Sequence, residues 1–302
     1  MFEGTEKKFE LWTTDSCRSF RTFDECFWKE IVELSKANII SKISNTHCDA
    51  YLLSESSLIV FDHKVIMITC GQTTLIRAAE KLFQSISKED ISYFVYERKN
   101  ENFPQLQPSD FSKDCKILDK YIEGEPTIIG SGDKNFVALY QTTKKLPQIS
   151  SDRTIEIFMH EISNGSIETF SNTKPEDHEN IRKSSALRQL IPGYITEDHF
   201  FEPAGYSLNA VKGEFYFTVH VTPQAEGSFV SFESNDRFEE VTLSETINHL
   251  LSVFEPKSTE LQVFNHRLEM NFNSDYKLLS SKECNFESGY IALYYHFERN
   301  IK

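Results

Sequence analysis

The sequence predicts an α+β protein built on mainly antiparallel sheets. Two observations carry this. Short apolar runs with strand character follow one another directly along much of the chain, and only about four segments show helical periodicity, too few for a regular alternation of strand and crossover helix. The 302 residues suffice for one large domain or two ordinary ones, with a sizeable core either way.

Taken in order, residues 24–45, DECFWKEIVELSKANIISKISN, read as an amphipathic helix, with Asp24 as N-cap and Phe27, Ile31, Leu34 and Ile43 near one face. Residues 50–70 hold two apolar runs suited to strands and end in MITCG, and a second helix is expected at 73–87, with Leu75, Ala79, Leu82 and Ile86 on one side. A strand at Ile91–Glu97, a charged loop containing proline and a helix near 108–121 follow. Strands are expected at 126–131, 135–142 and 153–160, and the polar stretch 161–183 reads as loop. Strands at Phe215–Thr222 and Ser228–Glu233, a helix at 241–254, and strands near 259–264 and 289–297 complete the pattern.

One stretch breaks it. In YLLSESSLIVF, Tyr51–Phe61, the polar block Ser54, Glu55, Ser56 and Ser57 lies between two apolar runs. Such a block is ordinarily a turn between short strands, because burying these groups unpaired costs about 1–3 kcal/mol each.

Composition narrows the function classes. No apolar run approaches the roughly 18 residues of a membrane span, and the N-terminus MFEGTEKKFE is charged from its third residue, so neither a span nor a secretory signal is expected and the protein reads as cytoplasmic. The net charge of −14, from 32 basic and 46 acidic residues, argues against nonspecific binding to nucleic acid or to an anionic membrane. The cysteines at 17, 26, 48, 70, 115 and 284 form no CxxC pair and no metal-ligand spacing with histidine, so thiols and no metal site are expected.

Three segments belong together: FEGTEK at 2–7, LSESS with TCG at 53–71, and FEPAGYSLN with YFTVHVTP at 201–223. With YERKN at 96–100, SDRTIEIFMHEI at 151–162, IPGYI at 191–195 and VSFESN at 230–235, they resemble the eukaryotic-type S-adenosylmethionine decarboxylases over nearly the whole chain. These are pyruvoyl-dependent enzymes that supply decarboxylated S-adenosylmethionine for spermidine and spermine synthesis. The resemblance implies a single domain, a four-layer αββα sandwich of two antiparallel sheets flanked by helices. It also implies self-cleavage into a β chain of residues 1–55 and an α chain of residues 56–302.

The chemistry of amino-acid decarboxylation agrees, since it needs an electron sink that no ordinary side chain provides. In the family the serine matching Ser56 attacks the carbonyl of Glu55 and becomes a pyruvoyl group, which forms a Schiff base with the substrate amine. His220 matches the base for processing, and imidazole suits proton removal near neutrality. Ser207 matches the serine that assists it. Cys70, ordinarily an inert thiol in isolation, matches the proton donor to the product. Glu3 and Glu6 match acidic residues required near the active site. Phe2 and Phe201 match the rings that sandwich the adenine of S-adenosylmethionine, and the freed Glu55 backbone is expected to read the adenine edge.

Gln224 departs from the pattern by standing where the family commonly has a ribose-gripping Glu, so weaker substrate binding is expected. Asp152, Thr154, Glu156 and Glu233 match the acidic cluster that binds the activator putrescine in animal members. Lys8 stands where plant members, which ignore putrescine, carry a basic residue. A lysine there could pair with Asp152 or Glu156, and weak or absent putrescine activation is expected. Monomer and homodimer are both open. The rival readings are a catalytically weak or dead paralogue that activates a partner subunit, and a decarboxylase redirected to another amino acid. Retention of Ser56, Cys70, Ser207 and His220 argues against the first, and retention of Phe2 and Phe201 against the second.

Overall fold

The computed structural model of the chain describes residues 4–130, 135–143, 153–171, 174–238, 241–266 and 275–300. The described residues before position 150, with Cys284–Tyr290, form one compact unit, and the rest form a second. Each unit is built on one eight-stranded antiparallel sheet, so the α+β class is borne out.

In the N-terminal unit the elements run β1 Lys7–Thr13, α1 Glu25–Leu34, β2 Ile39–Ser44, β3 Cys48–Leu53, β4 Ser56–Phe61, β5 Lys64–Thr69, α2 Leu75–Ser85, β6 Ile91–Lys99, α3 Phe111–Leu118, β7 Gly124–Gly130 and β8 Phe136–Thr142. The sheet order is β2-β3-β4-β5-β1-β6-β8-β7. The C-terminal unit holds β9 Thr154–His160, α4 Asn164–Phe170, α5 Pro175–Ser185, β10 Ile195–Phe200, β11 Tyr206–Lys212, β12 Phe215–Thr222, β13 Phe229–Ser234, α6 Leu243–Phe254, β14 Ser258–Phe264, β15 Tyr276–Asn285 and β16 Ile291–Arg299. Its order, β10-β11-β12-β13-β9-β14-β16-β15, repeats the first with every strand advanced by eight. The two halves share one topology, although no repeat is visible in the residues.

Strand alternation sorts the side chains of each sheet. In β1, Phe9 and Leu11 join the core that Trp28 of α1 and Leu75 and Leu82 of α2 complete, while Lys8 and Glu10 take the opposite face and are also buried. In the second unit Val219 and Val221 of β12 pack with Leu250 and Phe254 of α6. His220 and Thr218 fall on the other face, and so do Glu156, Glu233 and Glu260 of neighbouring strands, all buried. Each sheet thus has one apolar, helix-covered face and one face carrying buried charge. Two helix starts show the expected caps: at α1 the Asp24 carboxylate accepts from the Phe27 N–H at 2.8 Å, and at α6 Thr242 and Glu245 form a capping box.

Several expectations need correction. The helix expected at 24–45 stops at Leu34; Lys36 takes a positive φ of 65° and IISKIS continues as strand β2. Residues 50–70 fold as three strands, the last of β3 with all of β4 and β5. The stretch 161–183, expected as loop, holds α4 and α5, the first capped by Ser163 and the second entered through Pro175. Strands β1, β10, β11 and β15 had no counterpart in the reading. Among the described residues no helix is long and apolar enough to cross a membrane.

Candidate active site

The polar block of YLLSESSLIVF is a turn. Ser54 and Glu55 connect β3 to β4, and Ser56 opens β4 opposite Leu53 and Thr69. Ser56 has φ +139°, a backbone region that side chains rarely adopt, and holding a non-glycine residue there costs on the order of 1–3 kcal/mol. Its side chain is 2% exposed, and its Oγ has no hydrogen-bond partner among the described residues.

The carbonyl just before it is, in contrast, well served. Glu55 O accepts from the Cys70 N–H at 2.9 Å and from the Cys70 thiol at 3.3 Å. Two donors converge on the oxygen that would turn negative if Ser56 Oγ attacked the Glu55 carbonyl carbon. The structure therefore brings Glu55, Ser56 and Cys70 together.

The titration of this group fits proton transfer. Burial raises the Glu55 carboxyl to about 7, although the Lys7 ammonium pulls the other way. Burial, then the carboxylates of Glu55 and Glu6, push the Cys70 thiol well above its ordinary value, so near neutrality it holds its proton. Glu6, expected near the site, is buried and close enough to act on Cys70.

In the C-terminal unit, β11 and β12 place Ser207 directly opposite His220, with Ser207 Oγ 2.8 Å from His220 Nδ1. Burial lowers the imidazole to about 3, so it is neutral across the physiological range. If Nδ1–H donates to Ser207, Nε2 carries no proton, which is the tautomer a base requires. Gly205, in the turn between β10 and β11 and two residues before Ser207, has φ +131°, and a Cβ there would come within 3.4 Å of Phe201 Cβ and Val221 O. Phe201 is half-buried, and His199 meets its ring edge-on at 4.7 Å. Gln224 donates its amide to Gly227 O at 3.3 Å. Phe2, Glu3 and Asp152 lie outside the described residues.

Of the acidic cluster, Thr154, Glu156 and Glu233 are buried. Glu156 and Glu233 are directly opposite in register, an arrangement that like charges disfavour and a cation relieves. Glu156 accepts from Gln262 at 3.2 Å, and Glu233 accepts from the Tyr216 hydroxyl.

Within its own unit Lys8 meets two carboxylates. Its ammonium is 2.8 Å from Glu10 and 3.9 Å from Glu97, and Lys64 approaches Glu10 from the other side at 3.5 Å. Burial alone would raise the Glu10 carboxyl, but Lys8 and Lys64 together bring it down to about 2. Sequence reasoning missed Glu10 and Lys7, which register only as charges in a stretch too polar to read as a strand, and Lys64, which opens β5. It also missed the His160–Glu260 contact of 3.2 Å.

A family model described as adenosylmethionine decarboxylase matches residues 1–298. The S-adenosylmethionine decarboxylase proenzyme of Dictyostelium discoideum is 32% identical over 84% of this chain and 72% of that protein. The proenzyme of Leishmania donovani is 28% identical over 99% of this chain and 86% of that protein. Among solved structures, the Trypanosoma brucei AdoMetDC-delta26 monomer shares the fold with a TM-score of 0.62 at 24% identity, over 81% of this chain and 99% of that one. The chain belongs to the adenosylmethionine decarboxylase family.

Proposed function

We propose that the chain is made as a proenzyme, cuts its own backbone between Glu55 and Ser56, and then decarboxylates S-adenosylmethionine. The observation that carries this is the geometry at the turn. Ser56 has a strained φ and a buried hydroxyl without a partner among the described residues, and Cys70 aims two donors at the Glu55 carbonyl.

In the cleavage, Ser56 Oγ attacks the Glu55 carbonyl carbon, the C–N bond breaks, and an ester replaces the peptide with the proton passing from oxygen to nitrogen. Removal of the Ser56 α-proton then expels the Glu55 carboxylate by breaking the Cβ–Oγ bond. The resulting dehydroalanine tautomerises to an imine, and water releases ammonia to leave a pyruvoyl end. Backbone relaxation away from φ +139° favours the first step. Neutral His220, oriented by Ser207, is the base we assign to the second. Position 56 fits the cofactor, because serine is the residue whose side chain and backbone can generate it.

The pyruvoyl carbonyl supplies the electron sink for loss of carbon dioxide. The chain's own residues do the rest. Cys70 holds a proton at Sγ for the product carbon, since burial and the nearby carboxylates keep the thiol protonated. Phe201 offers a half-exposed face on which the adenine of the cationic substrate can stack, Phe2 is the second ring we assign to it, and Gln224 gives the ribose hydroxyls a neutral partner. A lysine at position 8, where plant-type members carry a basic residue, supports weak or absent stimulation by putrescine. All six cysteines are free thiols, which suits a reducing compartment such as the cytoplasm.

The test is the mass of the purified protein and of its Ser56→Ala variant. The reading expects fragments of residues 1–55 and 56–302 from the first and one whole chain from the second, with carbon dioxide released from S-adenosylmethionine by the first alone. A wild-type chain that stays whole would overturn it, and so would cleavage of Ser56→Ala.

A further inference from the structure

Lys7, in the N-terminal FEGTEK segment, has no role in the chemistry above, yet its placement is unusual. It is 2% exposed. It sits on β1 opposite Thr69, and Thr69 sits opposite Ser56, so the three occupy one cross-strand row of the sheet. Its ammonium has three protons and meets three oxygens: Gly71 O at 3.0 Å, Thr73 O at 3.4 Å and Gln107 Oε1 at 2.6 Å. Gln107 turns its amide to the same Gly71 carbonyl at 3.4 Å. Gly71 follows Cys70 directly and has φ +71°, so the chain turns sharply at this point.

We propose that Lys7, supported by Gln107, is a positioning residue for Cys70, tying down the Cys70–Thr73 turn so that both Cys70 donors stay on the Glu55 carbonyl. The proposal rests on the reading of Glu55–Ser56 as the bond that is cut. The physical reason is that a turn held only by its own backbone can shift by the few tenths of an ångström that break a 3.3 Å thiol hydrogen bond. A charged donor fixed between three oxygens restrains it.

The titratable groups facing the ammonium are Arg98 from β6, Glu101 after β6, Asp114 from α3, Cys70 and Glu55. Burial first, then Arg98, lower the Lys7 ammonium to about 8. A depressed lysine is charged below that value and neutral above it, so the clamp weakens as the pH rises through about 8.

The experiment follows self-cleavage of freshly synthesised chain on denaturing gels between pH 6.5 and 9.5. In the wild type, the rate should decline above about pH 8. Lys7→Met should cleave about 10- to 100-fold more slowly at pH 7 and lose the alkaline decline. Glu55→Gln, which removes the carboxyl titrating about 7, should keep that decline. Gln107→Met, in a partly exposed loop, should slow cleavage by about 3- to 10-fold, and it carries the test if Lys7→Met fails to fold. Cleavage of Lys7→Met or of folded Gln107→Met at the wild-type rate overturns the proposal, as does an alkaline decline that persists in Lys7→Met. A wild-type chain that never cleaves removes the cleavage reading itself, and the role of Lys7 with it.

Discussion

Two substitutions at position 56 differ only in how they tolerate the backbone there, and comparing them isolates the strain. Neither Ser56→Ala nor Ser56→Gly can cleave, because neither has the hydroxyl. At an ordinary strand position glycine is less stable than alanine by roughly 0.5–1 kcal/mol, since it loses more backbone freedom on folding. At φ +139° the alanine Cβ instead carries a penalty on the order of 1–3 kcal/mol that glycine escapes. The difference favours Ser56→Gly by about 1 kcal/mol, reversing the usual order. Trp12 and Trp28 both lie in the N-terminal unit, so their fluorescence during urea denaturation follows the unit that contains the turn. At a slope near 2 kcal/mol per molar urea, the midpoint of Ser56→Gly should lie about 0.5 M above that of Ser56→Ala. A midpoint below that of Ser56→Ala would refute the claim that the turn is strained.

The other predictions concern charge. Glu10 has a folded value near 2 against an ordinary 4.5, so its contribution to stability is complete above about 4.5 and is lost as the pH falls toward 2. The loss is on the order of 3 kcal/mol, and Glu10→Gln should flatten that part of the acid denaturation profile of the Ser56→Ala chain. Histidine nuclear magnetic resonance of the same chain should show His220 neutral down to about pH 4. A titration midpoint near 6.5 would contradict the burial argument. Gln224→Glu should lower KM for S-adenosylmethionine by about tenfold, the effect of a charge-assisted bond to the ribose. An unchanged or higher KM would show that this side chain does not meet the ribose.

Much of the site was legible because its chemistry depends on residue types at fixed spacing. Ser56 opens β4 and Cys70 follows the end of its neighbour β5, so residues 15 apart in sequence meet in a direct hydrogen bond from Cys70 to Glu55 O. Ser207 and His220 flank a hairpin whose register sets them face to face. The fold was legible where periodicity is strong, as in α2, α6 and β12. It was misread where a second force decides. IISKIS alternates with period two, but its isoleucines also continue a helical stripe, and only the positive φ at Lys36 ends α1. Strand β1 carries Lys7, Lys8 and Glu10 in buried positions, so a hydrophobic pattern cannot find it; tertiary ion pairs hold those charges inside. Helices α4 and α5 have few apolar residues, and their evidence was in their N-terminal residues, Ser163 and Pro175.

The central claim is that this chain breaks its own backbone at a turn it has strained for the purpose. The most direct test is the intact mass of the purified wild-type protein, with sequencing of its large fragment by tandem mass spectrometry. The account predicts a fragment ending at Glu55 and another beginning at position 56 with a pyruvoyl group in place of serine and no free α-amine. A single 35.0 kDa chain with Ser56 intact, from protein shown to be folded, would contradict it.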